Sequence, residues 1–333
     1  MDQKNQYTAF LHNYSNIAQS VNFTQKKLQE IRKDLNQLLN PHPESKHLSL
    51  VATGSYGRNE ASKHSDLDAF LFFGLDQNPH HLMKPEINKT IGKLKELVPK
   101  DPGDTGTFGL GEAVSFRRMT RHIGGEEDRN REMTRRMLFL LEGTYLYGEN
   151  LFSQNRNALL EKYVDKQDQA EHLPLFLLND IIRYYRTITT DFEYKVAEAG
   201  KSWGLRSIKL RFSRKLLYFG GLISAADVTQ EERDSKIKKL SDHFSRTPLE
   251  RLWRMQPGSG NTKTIFKLYD QFLECLNDED KRNELDKLKK HDRNDCEVYS
   301  NLSQLSREFD EALLNWLNEY FPAKHDIHMK LIF

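Results

Sequence analysis

The residue types best suited to chemistry in this chain of 333 residues are concentrated in one stretch, GSYGRNEASKHSDLD, residues 54–68. It ends on Asp66 and Asp68, one residue apart, where the apolar run AFLFF starts. Along a strand, positions i and i+2 share a face, so both carboxylates are expected side by side. Carboxylates that close repel unless a cation neutralises them. Paired hard oxygen ligands suit Mg²⁺, which commonly takes one or two carboxylates together with substrate phosphates. Two such ions, about 3.5–4 Å apart, can activate an attacking oxygen and stabilise a leaving one. At the other end of the stretch, Gly54 and Ser55 follow a first apolar run, LSLVATG. There the backbone can approach a phosphate closely, helped by the N-terminus of a short following helix. An isolated Asp-x-Asp is usually loop decoration. The full pattern G-S-x-G-R-x-E-x5-D-x-D between two apolar strands is far more specific.

The elements that must position these residues are legible in part. Ile17, Val21, Leu28, Ile31, Leu35 and Leu38 recur at helical spacing and predict a helix over 16–39, stopped by the prolines of NPHPESKH. Strands are expected in LSLVATG, DLDAFLFFG and EAVSFRR, with a helix over 84–98 and a glycine-rich connection over 101–111. DRNREMTRRMLFLLEGTYLYG predicts a helix with Asp128 as N-cap and Gly148 as its stop. From about 151 strand signals fade. Helices are expected over 173–198, 203–225, 229–244, 261–290 and 297–320, with DEDKRNELDKLKKHDRNDCE as a solvated face and loop. No repeat at a fixed period is present.

Composition sets outer limits. Apolar residues make up 37% and charged residues 29%, with net charge +2 and a pI of about 8.3, so any basic surface must be local. Cys275 and Cys296, without a C-x-x-C, give neither a zinc site nor a disulfide framework and fit a reducing compartment. The N-terminus lacks the basic start and apolar core of a signal peptide, and no apolar run reaches membrane-span length. A cytoplasmic protein is expected, without membrane association. There is no P-loop G-x-x-x-x-G-K-[ST], no G-x-S-x-G and no H-E-x-x-H.

Gly54, Ser55, Gly57, Arg58, Glu60, Ser65, Asp66 and Asp68 together resemble the active-site signature of DNA polymerase β-like nucleotidyltransferases. The likeness is greatest to the nucleotidyltransferase domain of the PII-protein uridylyltransferase group and its relatives, which show G-[GS]-x-G-R-x-E followed by S-D-x-D. TRRMLFLLEGTYLYGENLF also resembles the helix after the catalytic sheet in those relatives. The resemblance covers roughly residues 20–150. It implies an α+β fold: a small mixed sheet flanked by helices over 46–150, preceded by a helical segment (1–45) packing on it and followed by an all-helical domain (151–333), with the active site between the two domains.

It also implies a reaction, transfer of a nucleoside monophosphate from an NTP to a hydroxyl with release of pyrophosphate. Asp66 and Asp68 would hold two Mg²⁺ ions, for which Mn²⁺ can stand in, and Gly54 and Ser55 would cradle the β and γ phosphates. Arg58 is a candidate nucleotide contact, although an ion pair with Glu60 that braces the loop is the favoured role. The third carboxylate of the family, on a neighbouring strand, is assigned to Glu112, with Asp104 as the fallback. Lys209 and Ser213, one helical turn apart, are the candidate triphosphate contacts from the helical domain. The acceptor is expected to be a macromolecule, a protein side chain or an RNA end. Synthesis of a cyclic or oligomeric nucleotide signal, or a non-catalytic nucleotide-binding regulator, are the alternatives.

The chain is too short for the hydrolase and sensing domains of the uridylyltransferases. The His291-Asp292 and His325-Asp326 pairs lack partner histidines, and a structural or solvated role is expected for both. On the predicted helix 173–198, Asn179, Arg183, Arg186 and Thr190 form a polar stripe that is either a solvated face or a wall of the nucleotide cleft. Trp253 is expected in the core rather than stacked on a base.

Overall fold

The computed structural model describes residues 2–74, 80–100, 113–165, 171–198 and 202–331. It is a mainly helical α+β structure with one small mixed sheet of four strands near the N-terminus and a helical remainder. α1 (Gln3–Leu11) and α2 (Ser15–Leu39) precede β1 (Leu48–Ala52), the short α3 (Gly54–Gly57) and β2 (Ala69–Phe73). Then come α4 (His80–Leu97), β3 (Ala113–Ser115), α5 (Phe116–Thr120), α6 (Asn130–Glu142), β4 (Thr144–Tyr147) and α7 (Glu149–Tyr163).

The strand order is β3-β2-β1-β4. β1 is antiparallel to both β2 and β4, and β2 is parallel to β3. Every residue of β1 and β2 is buried, as expected for central strands covered on both faces. On one face Leu48, Leu50, Ala52, Ala69, Leu71 and Phe73 form a core with Leu28, Ile31, Leu35 and Leu39 of α2 and with Ile87 and Leu94 of α4. On the other, Phe72 meets Phe139 of α6 edge to face at 5.0 Å, an arrangement favoured by the ring quadrupoles.

Two expectations about this part are corrected. EAVSFRR is a strand only through Ser115. The Ser115 hydroxyl then accepts a bond from the Arg118 N–H (3.3 Å) and caps α5, so the local cap wins over strand extension. The helix expected to reach Gly148 stops at Glu142, where Gly143 turns the backbone to extended (φ −63°, ψ 131°); only glycine fits that turn, since a Cβ would lie 2.3 Å from the Phe139 carbonyl oxygen. The β-prone Thr-Tyr-Leu-Tyr that follows pairs with β1 as a fourth strand. Asp128 does not cap this helix. Its two oxygens each take a guanidinium nitrogen of buried Arg136 at 2.7 Å, a bidentate pair.

α8 (Leu175–Ala197) opens the helical remainder. α9 (Gly204–Lys209) continues through a π-helical turn (Leu210–Arg214) into α10 (Lys215–Ala226). α11 (Arg233–Phe244), α12 (Pro248–Met255), α13 (Gly260–Asn277), α14 (Glu279–Lys287), α15 (Glu297–Tyr320) and α16 (Ile327–Lys330) follow. The single helix expected over 261–290 is two, since Asp278 accepts bonds from the N–H groups of Asp280 and Lys281 and starts a new helix.

The chain divides into two compact units, and neither is continuous in sequence. The sheet unit comprises Ser20–Gln167 and Arg233–Thr247; the helical unit comprises Met1–Gln19, Asp168–Glu232 and Pro248–Phe333. Residues 1–19, expected on the sheet, instead set Tyr7, Phe10 and Tyr14 against Trp253 and Phe266 in the helical unit. α7, which lies beyond the expected boundary at 150, belongs to the sheet unit, as does α11. The Arg156 guanidinium of α7 donates to the Phe244 carbonyl at 3.0 Å. Among the described residues no helix is long and apolar enough to cross a membrane.

Candidate functional site

The loop between β1 and β2 is built by backbone ladder and buried charge together. The β1–β2 register ends at the pair Ala52–Ala69, and Thr53 N–H extends it by donating to the Asp68 carbonyl at 2.8 Å. Asp68 is thereby held in strand-like alternation. Leu67 is buried in the core that α2 and α4 share with the sheet, while Asp66 and Asp68 stay half-buried. Asp68 rests against Gly54 of the turn, and Asp66 lies two residues earlier, before β2 begins at Ala69.

Gly54 answers a steric demand that the sequence left unspecified. Its φ of +65° is costly for any residue with a Cβ, and a Cβ there would sit 2.6 Å from Asp68 Oδ2. The Asp68 carboxylate therefore occupies the space that a side chain at 54 would fill. Asp66 is near enough to Tyr56 to influence it: burial, with the negative charges of Asp66 and Glu30, pushes the Tyr56 phenol up to about 12.

Beneath the turn lies a buried ionic cluster. Arg58 Nε donates to Glu60 at 2.9 Å, the brace expected from the sequence. A further partner was not foreseen: Glu142, the last residue of α6. One of its oxygens takes the Gly54 N–H at 2.8 Å, and the other binds Arg58 Nη1. Arg58 and both glutamates are almost fully buried. Two expected phosphate contacts are altered by this. The Gly54 N–H is occupied by Glu142, and Arg58 is enclosed between carboxylates rather than directed at a substrate. Ser55 retains its place: it is half-buried, and its hydroxyl makes no hydrogen bond among the described residues.

The rest of the loop is tied to its own unit. Thr24 Oγ1 of α2 accepts the Ala61 N–H at 3.0 Å, and Ser62 and Ser65 exchange two bonds of 3.0 Å. Gly57 is fixed by crowding, since a Cβ would approach the Glu142 carbonyl oxygen to 2.0 Å. Gly57→Ala is expected to destabilise the protein by about 2–3 kcal/mol, because backbone rather than a flexible side chain must move. A urea unfolding midpoint equal to the parent's would refute the crowding.

In donor chemistry the site suits a divalent metal: two hard carboxylates one residue apart, both half-buried, one of them fitted against Gly54. Glu112 and Asp104, the candidates for a third ligand, lie outside the described residues. Among the described residues no group of three or more His, Cys, Asp or Glu gathers to hold a metal.

Lys209 and Ser213 belong to the helical unit. Lys209 is half-buried, but Ser213 is in the core, where the Tyr269 hydroxyl donates to it at 3.1 Å. The helix through α9 and α10 is buried nearly all round, with Phe212 stacked on Phe272 at 4.5 Å. It therefore offers Ser213 no polar flank, and the expected triphosphate contact is corrected to a core hydrogen bond. Ser213→Ala is expected to cost about 1 kcal/mol through that bond, and a urea unfolding midpoint equal to the parent's would refute it.

On α8, Asn179, Arg186 and Thr190 are exposed. His291 and Asp292 are both exposed. His325 accepts the Ile327 N–H and lies against the Phe321 ring. Trp253 is buried. Comparison with protein families, curated proteins and solved structures found no match to this chain.

Proposed function

We propose that the protein is a metal-dependent nucleotidyltransferase of the polymerase β-like class, moving a nucleoside monophosphate from an NTP to a hydroxyl of a macromolecular acceptor, protein or RNA. The observation that carries this reading is the Asp68 carboxylate fitted against Gly54 of the turn after β1, with Asp66 and Asp68 both half-buried on either side of buried Leu67. The mixed sheet, with the loop between two antiparallel strands and β3 parallel beside β2, supports it further.

In this reading Asp66 and Asp68, with Glu112 as the expected third carboxylate, would hold two Mg²⁺ ions, which when bound would supply Lewis acidity toward the acceptor hydroxyl and the triphosphate. Ser55 offers its hydroxyl to the phosphates, and Gly54 permits their close approach to the turn. Arg58, Glu60 and Glu142 act as positioning residues that fix the turn against β2. The acceptor oxygen forms a bond to the α-phosphorus, the α–β phosphoanhydride P–O bond breaks, pyrophosphate leaves with the electron pair, and the hydroxyl proton passes to solvent.

The test is incubation of the protein with each α-³²P-labelled NTP, Mg²⁺ and separate pools of protein and tRNA. Label on protein or RNA is the expected result and selects the acceptor. Label only in a small product assigns the site to nucleotide-signal synthesis. No label in any pool, with NTP binding detected, assigns it to a regulator.

A further inference from the structure

The His325-Asp326 pair, which the proposed reaction leaves without a task, lies in the turn that follows α15 in the helical unit. Two imidazoles fasten this turn. The His325 backbone N–H donates to the Pro322 carbonyl at 2.7 Å, and the His328 backbone N–H donates to the His325 carbonyl at 3.1 Å. The His325 ring lies 4.7 Å from the Phe321 ring, and its Nδ1 accepts the Ile327 N–H at 3.2 Å. His328 Nε2 meets the Phe321 carbonyl at 3.1 Å, and a carbonyl requires a donor there. Fastened in this way, the turn buries Ile327 completely.

The two rings respond differently to a proton. A neutral imidazole holds one donor and one acceptor, whereas the imidazolium holds two donors. His328 can take a proton and still donate to Phe321, at the C-terminal end of α15 where positive charge is favoured. His325 cannot take one and keep its bond. The proton goes on Nδ1, which then faces the Ile327 N–H donor against donor. Among the described residues, the charged groups that act on His325 are Asp326 and His328 of the turn itself and Asp227 at the end of α10. Asp227 also accepts the Tyr320 hydroxyl of α15 at 2.7 Å. Burial holds the His325 imidazole below its ordinary pKa; Asp326 and Asp227 oppose this, and His328 adds to it. A histidine whose folded pKa is lowered stabilises the folded turn above its unfolded pKa, about 6.5. That contribution drains away as pH falls below this value toward the folded pKa.

We propose that residues 322–331 are an acid-released latch: a proton on His325 Nδ1 breaks the bond to Ile327, frees the turn from the end of α15 and uncovers Ile327. The latch stands independently of the transfer reaction. The test is hydrogen exchange of the full chain read by mass spectrometry, with protection factors corrected for the intrinsic pH dependence of exchange. Between about pH 7.5 and about pH 5 the peptide over 322–331 is expected to lose protection roughly fivefold, about the worth of one neutral hydrogen bond. α13 is expected to keep its protection over the same interval. His325→Asn places a side-chain oxygen near the position of Nδ1, an acceptor that takes the N–H two residues on and does not titrate. It is expected to keep the turn closed at both pH values. His328→Gln retains a donor for the Phe321 carbonyl and is expected to open in acid as the parent does.

A second measurement needs no variant. The His325 ring proton, followed by NMR in the parent, is expected to titrate with the same midpoint as the opening. Midpoints more than about one pH unit apart would uncouple the two and overturn the latch. Equal protection of 322–331 at both pH values in the parent also overturns it. So does an acid loss that persists in His325→Asn or disappears in His328→Gln, since either places the trigger elsewhere. A loss that extends over α13 is general acid unfolding and overturns it as well.

Discussion

Replacing Asp66 and Asp68 together by alanine is expected to lower the proposed nucleotidyl transfer by on the order of 10³–10⁴-fold while leaving the protein about as stable as before. In the proposed reaction the loss follows from removing the oxygen donors that would hold the metals. Several kcal/mol of transition-state stabilisation disappear with them, and each 1.36 kcal/mol is tenfold in rate. The unchanged stability follows from the geometry. Both carboxylates are half-buried just before β2, with buried Leu67 between them in sequence, and truncating side chains outside the core costs little. A loss of activity without a loss of stability is the pattern of a site selected for function rather than for folding. The measurements are label transfer at saturating NTP and a urea unfolding curve in EDTA. Transfer at more than one tenth of the parent rate would remove these residues from the chemistry. A drop of 2 kcal/mol or more in stability would make them structural.

Glu142→Ala is expected to have the opposite signature, a large loss of stability with activity falling as a consequence. Glu142 neutralises buried Arg58 and accepts the Gly54 N–H, the residue against which the Asp68 carboxylate rests. Removing one partner of a buried ion pair costs about 3–5 kcal/mol, because the charge left behind was taken out of water for that pairing. Glu60 still faces Arg58, which places the expectation at the lower end, about 3 kcal/mol. Glu142→Gln keeps an oxygen for the Gly54 N–H and is expected to lose about half as much. A urea midpoint for Glu142→Ala within error of the parent's would show that the cluster does not hold the turn.

Why the sequence revealed Asp66 and not Glu142 has a physical answer. The loop, the strands on either side and the carboxylate pair are local. Alternation, glycine and chain breakers within 25 residues determine them, and β1 and β2 lie where those patterns put them. Glu142 acts on Gly54 across 88 positions and on Arg58 across 84. Nothing in its own neighbourhood, the end of an amphipathic helix, distinguishes it from a solvated glutamate. The visible clue was the glycine that follows: Gly143 ends the helix and so fixes Glu142 as its terminal residue.

β4 was missed for a related reason. Thr-Tyr-Leu-Tyr continues a helical apolar pattern as readily as it alternates, and pairing with β1 decides between them. Ser213 failed differently, because the spacing that put it beside Lys209 said nothing about Tyr269 on the other side. Lengthwise texture also located helices better than it grouped them, since α1 and α11 each pack where their neighbours in sequence do not and the sheet unit runs on through α7.

That grouping bears on how the polypeptide assembles as it is synthesised. The sheet unit is closed by Arg233–Thr247, so a nascent chain that has emerged only through residue 167 holds all four strands but lacks α11. Leu240 and Phe244, fully buried in the finished protein, are then still to come, and the flank of α7 that receives them is open. The contacts that complete this unit span 68 to 88 positions, separations that slow folding through the cost of closing long loops. A fragment cut after the sheet would carry the same open flank permanently and should associate through it. The smallest autonomous form of this unit is one in which 233–247 is retained or grafted directly behind α7.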